Sequence, residues 1–213
     1  MRAFDRSARI LAYDLRLAAG LVSLLSCLSL LFIASEARAG TKSGEFAVEE
    51  AGRARCSAFV KARSEKSEAY GRYIGFIEGY LTAANRYEPA TFDLSPWHNS
   101  EAFALILDQH CRKHPQDTMV MSAQRLVAAF QPIRLADRSK LLEVGDPQHS
   151  TIIYETILKR AQAALAHRGL YKGQVDGLYD AEVKAALEEF QRSAQLDPSG
   201  IPDPATLWVL LNP

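Results

Sequence analysis

From residue 40 onward, apolar side chains recur at intervals of three and four residues, and no run alternates convincingly at period two. A chain patterned this way buries stripes between helices, so the expected fold is all-α. Tyr70, Tyr73, Ile74, Ile77, Leu81 and Ala84 form one broad stripe and predict a helix over 70–86. Gly71, Gly75 and Gly79 share one face of that helix. Glycine lowers helix stability by about 1 kcal/mol relative to alanine, so another helix backbone is expected to approach there. Pro89, Pro96 and Asn99 break the pattern. It resumes at Phe103, Leu107 and Cys111, and again over 118–130 at Met119, Ala123, Leu126, Val127 and Phe130. Residues 132–150, with Pro132, Gly145 and Pro147, hold no period and read as a linker. Helical spacing returns with Tyr154, Ile157, Leu158, Ala161 and Leu165, and stops at Gly169. It starts again at Val183, Ala186, Leu187 and Phe190, before a short last helix at 204–211. The plan is a lead-in at 40–55, a helical domain at 56–131, the linker, and a three-helix domain at 151–213.

The first 39 residues have the layout of a secretory signal. Arg2, Arg6, Arg9 and Arg16 precede a largely apolar stretch from Leu17 to Ile33, and Ala37-Arg38-Ala39 offers the small residues a signal peptidase needs. Residues 1–39 are expected to be a cleaved signal peptide and the protein to be periplasmic. Were cleavage to fail, the same apolar stretch would hold the chain at the membrane. Lipidation at Cys27 is disfavoured, because the apolar run continues through Leu28, Leu30, Leu31 and Phe32.

Of 25 basic and 25 acidic residues, five basic and three acidic precede Gly40, which leaves 20 against 22 with no basic block. That excludes an electrostatic footprint for nucleic acid. Cys27 leaves with the signal, so Cys56 and Cys111 remain. An even count in an oxidising compartment predicts one disulfide, worth about 4 kcal/mol in the chain-entropy picture.

An internal echo marks the C-terminal domain. Gly177-Leu178-Tyr179-Asp180, with Val183 and Leu187 beyond, returns 23 residues later as Gly200-Ile201-Pro202-Asp203, with Thr206 and Leu210 beyond. In each copy glycine makes a turn and aspartate caps the next helix; Pro204 suits a first helical position. Leu165, Gly169-Leu170-Tyr171, Val175-Asp176-Gly177, Ala186, Phe190-Gln191, Gly200, Pro204-Ala205-Thr206 and Leu210 together resemble the three-helix peptidoglycan-binding domain that accompanies many bacterial wall hydrolases. Asp180 and Asp203 stand where that family often has glycine, and Val183 replaces a common threonine; both changes preserve a helix start. The resemblance implies peptidoglycan as ligand. Tyr171, Asp176, Gly177, Tyr179 and Gln191 around the inter-helix turn are the candidate contacts, although Asp176 also suits a role in bonding its own turn.

Residues 56–130 more loosely resemble small helical periplasmic proteins, the HdeA-type acid-stress chaperones and the immunity proteins against secreted amidases. The resemblance rests on Tyr73-Ile74-Gly75-Phe76-Ile77-Glu78-Gly79-Tyr80, Asn85, Leu107-Asp108-Gln109-His110-Cys111 and Pro115. It implies a disulfide-clamped bundle and does not select an activity.

Catalytic signals are sparse. His110 and His114 have a zinc-compatible spacing but lack further ligands, so no metal or other cofactor is expected. No G-x-S-x-G occurs. Glu78, among Phe76, Tyr80 and Tyr87, is the best lone carboxylate, whereas glycan cleavage takes two. Tyr73, Phe76, Tyr80 and Tyr87, with Trp97, either pack a core or face a protein partner. The expected function is non-enzymatic: wall binding by the C-terminal domain, with the N-terminal domain presented to a periplasmic protein. A wall-remodelling hydrolase and a wall-tethered chaperone or immunity protein are the alternatives.

Overall fold

The computed structural model describes residues 41, 43–146 and 149–211; the expected signal peptide, with Cys27, lies outside them. The chain divides into two units, Met1–Ala47 and Val48–Pro213. In the first, a turn closes between Thr41 and Gly44.

The second unit contains α1 (Glu50–Arg53), α2 (Cys56–Ser64), α3 (Glu68–Tyr87), α4 (Ser100–Lys113) and α5 (Met119–Phe130), followed by a 3-10 turn at Gln131–Ile133. Strands β1 (Leu141–Gly145) and β2 (Ser150–Tyr154) come next, then α6 (Glu155–His167), α7 (Ala181–Ser193) and α8 (Pro204–Leu211). Asn99 caps α4 by accepting from the Ala102 N–H, and Thr118 caps α5 through the Met121 N–H.

The Cys56–Cys111 disulfide is present and joins α2 to α4, with both cysteines fully buried beside Phe59, Ile77, Leu107 and Met119. The stripe expected on α3 does enter this core at Ile74, Ile77 and Leu81. The glycine face does not: a β-carbon built on Gly71, Gly75 or Gly79 meets no atom within 4 Å. The close approach occurs instead at Gly52, in the expected lead-in, where a β-carbon would lie 2.6 Å from Val48 and 2.8 Å from Phe76.

The chain is mostly helical but not all-α. Antiparallel strands β1 and β2 pair Leu142 with Ile153 and Val144 with Thr151, and Val144 and Ile153 are buried against α6 and α7. Each strand alternates, but the outward positions carry Leu141 and Ile152, 57 % and 71 % exposed. Apolar residues on both faces hide the period-2 signal. β1 lies inside the segment expected to be a linker, and Tyr154, expected on a helix face, ends β2.

That segment is also packed at its start. Leu135 exchanges backbone hydrogen bonds with Asp93, and Arg160 of α6 donates to the carbonyls of Ile133 and Arg134, satisfying the exposed end of the α5 and 3-10 run. Trp97 is 7 % exposed and packs in the C-terminal core, not on an aromatic surface. Beside it, the His98 ring lies 4.5 Å from Phe130, 5.9 Å from Phe103 and edge-on to Trp208 of α8 at 5.6 Å. Burial pushes the His98 pKa down to about 4, with the Ser95 backbone offsetting part of the shift.

Candidate functional site

Two buried glutamines organise the C-terminal domain. Gln162, on the inward face of α6, is fully buried, and its amide oxygen accepts the Gly177 N–H at 2.7 Å. Its amide nitrogen donates to the Asp176 carboxylate at 3.0 Å and to the Leu178 carbonyl at 3.1 Å. Gly177 has φ +80°, and a β-carbon there would meet Glu155 and Lys159 of α6 at 2.7 and 3.0 Å, so the position needs glycine on both counts. Asp180 then caps α7 by accepting from the Val183 N–H at 2.9 Å.

The arrangement is repeated. Gln191, on α7, accepts the Gly200 N–H at 2.7 Å and donates to the Ile201 carbonyl and the Thr206 hydroxyl, each at 2.9 Å. Gly200 has φ +72° and lies under Lys184 and Glu188. Asp203 caps α8 through the Thr206 N–H at 2.7 Å. Tyr179 ties the copies together by donating to the Gly200 carbonyl at 2.9 Å.

The expected contacts are thus distributed over two turns. Tyr171, Asp176 and Gly177 gather around Gln162. Tyr171 is buried and donates to the Gln174 carbonyl at 2.8 Å; burial is the first cause that raises its pKa. The Leu178 N–H and the Gln162 amide hold Asp176 below the usual carboxylate range, so it is an anion at neutral pH. Tyr179 spans to the second turn. Gln191, expected as a ligand contact, is 0 % exposed, and its amide is engaged inside the second turn.

Gln162 was not among the expected contacts. Its signal is an echo with a longer period: Glu155, Lys159 and Gln162 return 29 residues later as Lys184, Glu188 and Gln191. The first turn also exposes Val175 (47 %) and Leu178 (64 %), a pair not singled out by the helical pattern.

In the N-terminal domain, His110 and His114 stack at 4.7 Å, and His110 lies 3.1 Å from Asp117. No group of three or more His, Cys, Asp or Glu side chains among the described residues is placed to hold a metal. Glu78 accepts from the Ser100 hydroxyl. Tyr73, Phe76 and Tyr80 pack partly into the core, while Tyr87 is 76 % exposed under Arg86.

Among known protein families, residues 156–210 match the model described as "Putative peptidoglycan binding domain". No curated protein and no solved structure matches the chain. With its two glutamine-clamped turns, the region from α6 to α8 is a peptidoglycan-binding-like domain.

Proposed function

We propose that this is a non-catalytic periplasmic protein that holds peptidoglycan through its C-terminal domain and presents its disulfide-clamped bundle to a periplasmic protein. The family match over 156–210 carries the first part of this reading. The first turn supports it, because an ionised Asp176 sits between exposed Val175 and Leu178 on a backbone fixed by Gln162. Asp176, Gly177 and Tyr179 are the proposed contacts there, and Tyr171 supports them from beneath.

The test is co-sedimentation of the full chain with purified sacculi, with a zymogram on the same material. Sedimentation without loss of wall material is the expected result. Clearing of the sacculi would replace this reading with the hydrolase, and failure to sediment would remove the wall as ligand.

A further inference from the structure

A titratable ring stands where the two cores meet. Trp97 enters the C-terminal core, and next to it the His98 ring lies against Phe103 of α4 and Phe130 of α5, at 5.9 and 4.5 Å, on the bundle side. On its other side Trp208 of α8 meets it edge-on at 5.6 Å. Leu207 and Leu210, both buried, hold α8 in its own domain, while Trp208 is 41 % exposed. Trp208 therefore reaches out of its domain, and a ring it reaches is His98. We propose that this contact is an acid-released latch, whatever the C-terminal domain binds: with His98 neutral, Trp208 is held against the bundle, and with His98 protonated, Trp208 and the end of α8 come free of it.

The setting disfavours the imidazolium. Both ring nitrogens are closed to solvent, and Trp97 stacks on the ring at 5.3 Å. The charged side chains of the surrounding elements are engaged elsewhere. On α4, Glu101 and Asp108 pair with Arg63, Arg112 with Asp108 and His110 with Asp117, and Lys113 ends the helix. On α5, Arg125 also pairs with Asp117. Before and after them, Glu88 accepts from Gln131, Asp93 accepts from the Ser95 N–H, and Arg134 donates to the carbonyls of Ala90 and Gln131. The segment that forms α8 carries no charge. With no carboxylate beside it among the described residues, a protonated ring needs water, and water enters by parting the rings. Phe103 and Phe130 are buried, whereas Trp208 is already partly exposed and is the ring able to leave. Burial holds His98 to a pKa of about 4 in the closed contact, and a released ring titrates near 6.5. The ratio of open to closed therefore rises as pH falls from about 6.5, by about 30-fold at about pH 5, and levels off below about pH 4.

The experiment uses the full chain with its disulfide intact and fluorotryptophan at Trp97 and Trp208, followed by fluorine NMR from neutral pH to about pH 4. Trp208→Phe assigns the two resonances, a soluble gadolinium chelate reports the exposure of each, and the His98 ring is titrated alongside. The expected result is that His98 titrates well below 6.5, that Trp208 gains several-fold more broadening over the same pH range, and that Trp97 stays protected. His98→Phe keeps a ring in the contact and removes the titration, so Trp208 should then show no gain. A Trp208 that gains no broadening while His98 takes up its proton would overturn the latch. So would a gain that persists in His98→Phe, which would assign it to another titrating group, and so would exposure of both tryptophans together with loss of circular dichroism, which is unfolding. The His98 titration in the parent decides even if the variant does not fold: a pKa at or above 6.5 means that the closed contact does not repel the proton, and rejects the proposal.

Discussion

The two turns of the C-terminal domain share a clamp, a glycine and a capping aspartate, yet one is buried and the other is open. Ile201 is 6 % exposed and its counterpart Leu178 is 64 % exposed. The difference lies outside the repeat, in the β1–β2 hairpin laid over the second turn. A duplicated device can thus be split into a structural copy and a surface copy by whatever covers one of them.

The largest effect that separates the turns should come from the glutamines. Gln191→Ala removes bonds to Gly200, Ile201 and Thr206 in a fully buried setting, and should destabilise by about 3–5 kcal/mol. Gln162→Ala should lose about 2 kcal/mol, because its bonds to Asp176 and to the Leu178 carbonyl are only partly buried and open to water, which leaves the Gly177 N–H as the buried group without its partner. Urea unfolding of both variants measures the gap; equal losses would break the distinction.

A matched truncation comes next. Ile201→Ala should cost about 2–4 kcal/mol, whereas Leu178→Ala should stay within about 0.5 kcal/mol. A large loss at Leu178 would mean that the first turn is covered after all.

Acid should weaken the side of the domain that carries the second turn. His98 packs against Trp208 on α8 with its pKa lowered to about 4 by burial. The unfolded chain takes up the proton first, near pH 6.5, so stability falls as pH drops from about 6.5 to 4 and then levels off, a loss of about 2–3 kcal/mol. His98→Phe should remove this part of the pH dependence. Hydrogen exchange in wild type should rise at 204–211 before it rises at 174–179. A His98 resonance titrating at or above 6.5 would reject the assignment, as it would if the surrounding rings stabilise the imidazolium.

The smallest contrast is expected at the glycines. Gly177→Ala and Gly200→Ala each force a left-handed residue against flexible Glu or Lys stems, and each should lose about 1–2 kcal/mol. A difference well beyond 1 kcal/mol would show that the turns are not equivalent in backbone.

The helices were legible because each buries one stripe, as Ile74, Ile77 and Leu81 do on α3. The glycine echo was legible because a positive φ and a capping aspartate leave few alternative residues. Gln162 and Gln191 were not read as clamps, since a buried polar residue shows no helical period of its own and resembles a solvent-facing one. The hairpin escaped because Leu141 and Ile152 are apolar on its outer face. Trp97 belongs by sequence to the N-terminal domain and by packing to the C-terminal core, a placement decided only by tertiary contact.

Trp97 and Arg160 change what sort of connection joins the C-terminal domain to the bundle. A free 19-residue linker over 132–150 would let the two ends wander over roughly 25 Å, as a leash does. With Trp97 seated in one core and the Arg160 guanidinium gripping the carbonyls of Ile133 and Arg134, the join behaves as a bracket. It sacrifices reach and sets orientation, so under the proposed function whatever the bundle holds would stand at one angle and one height to whatever the C-terminal domain holds.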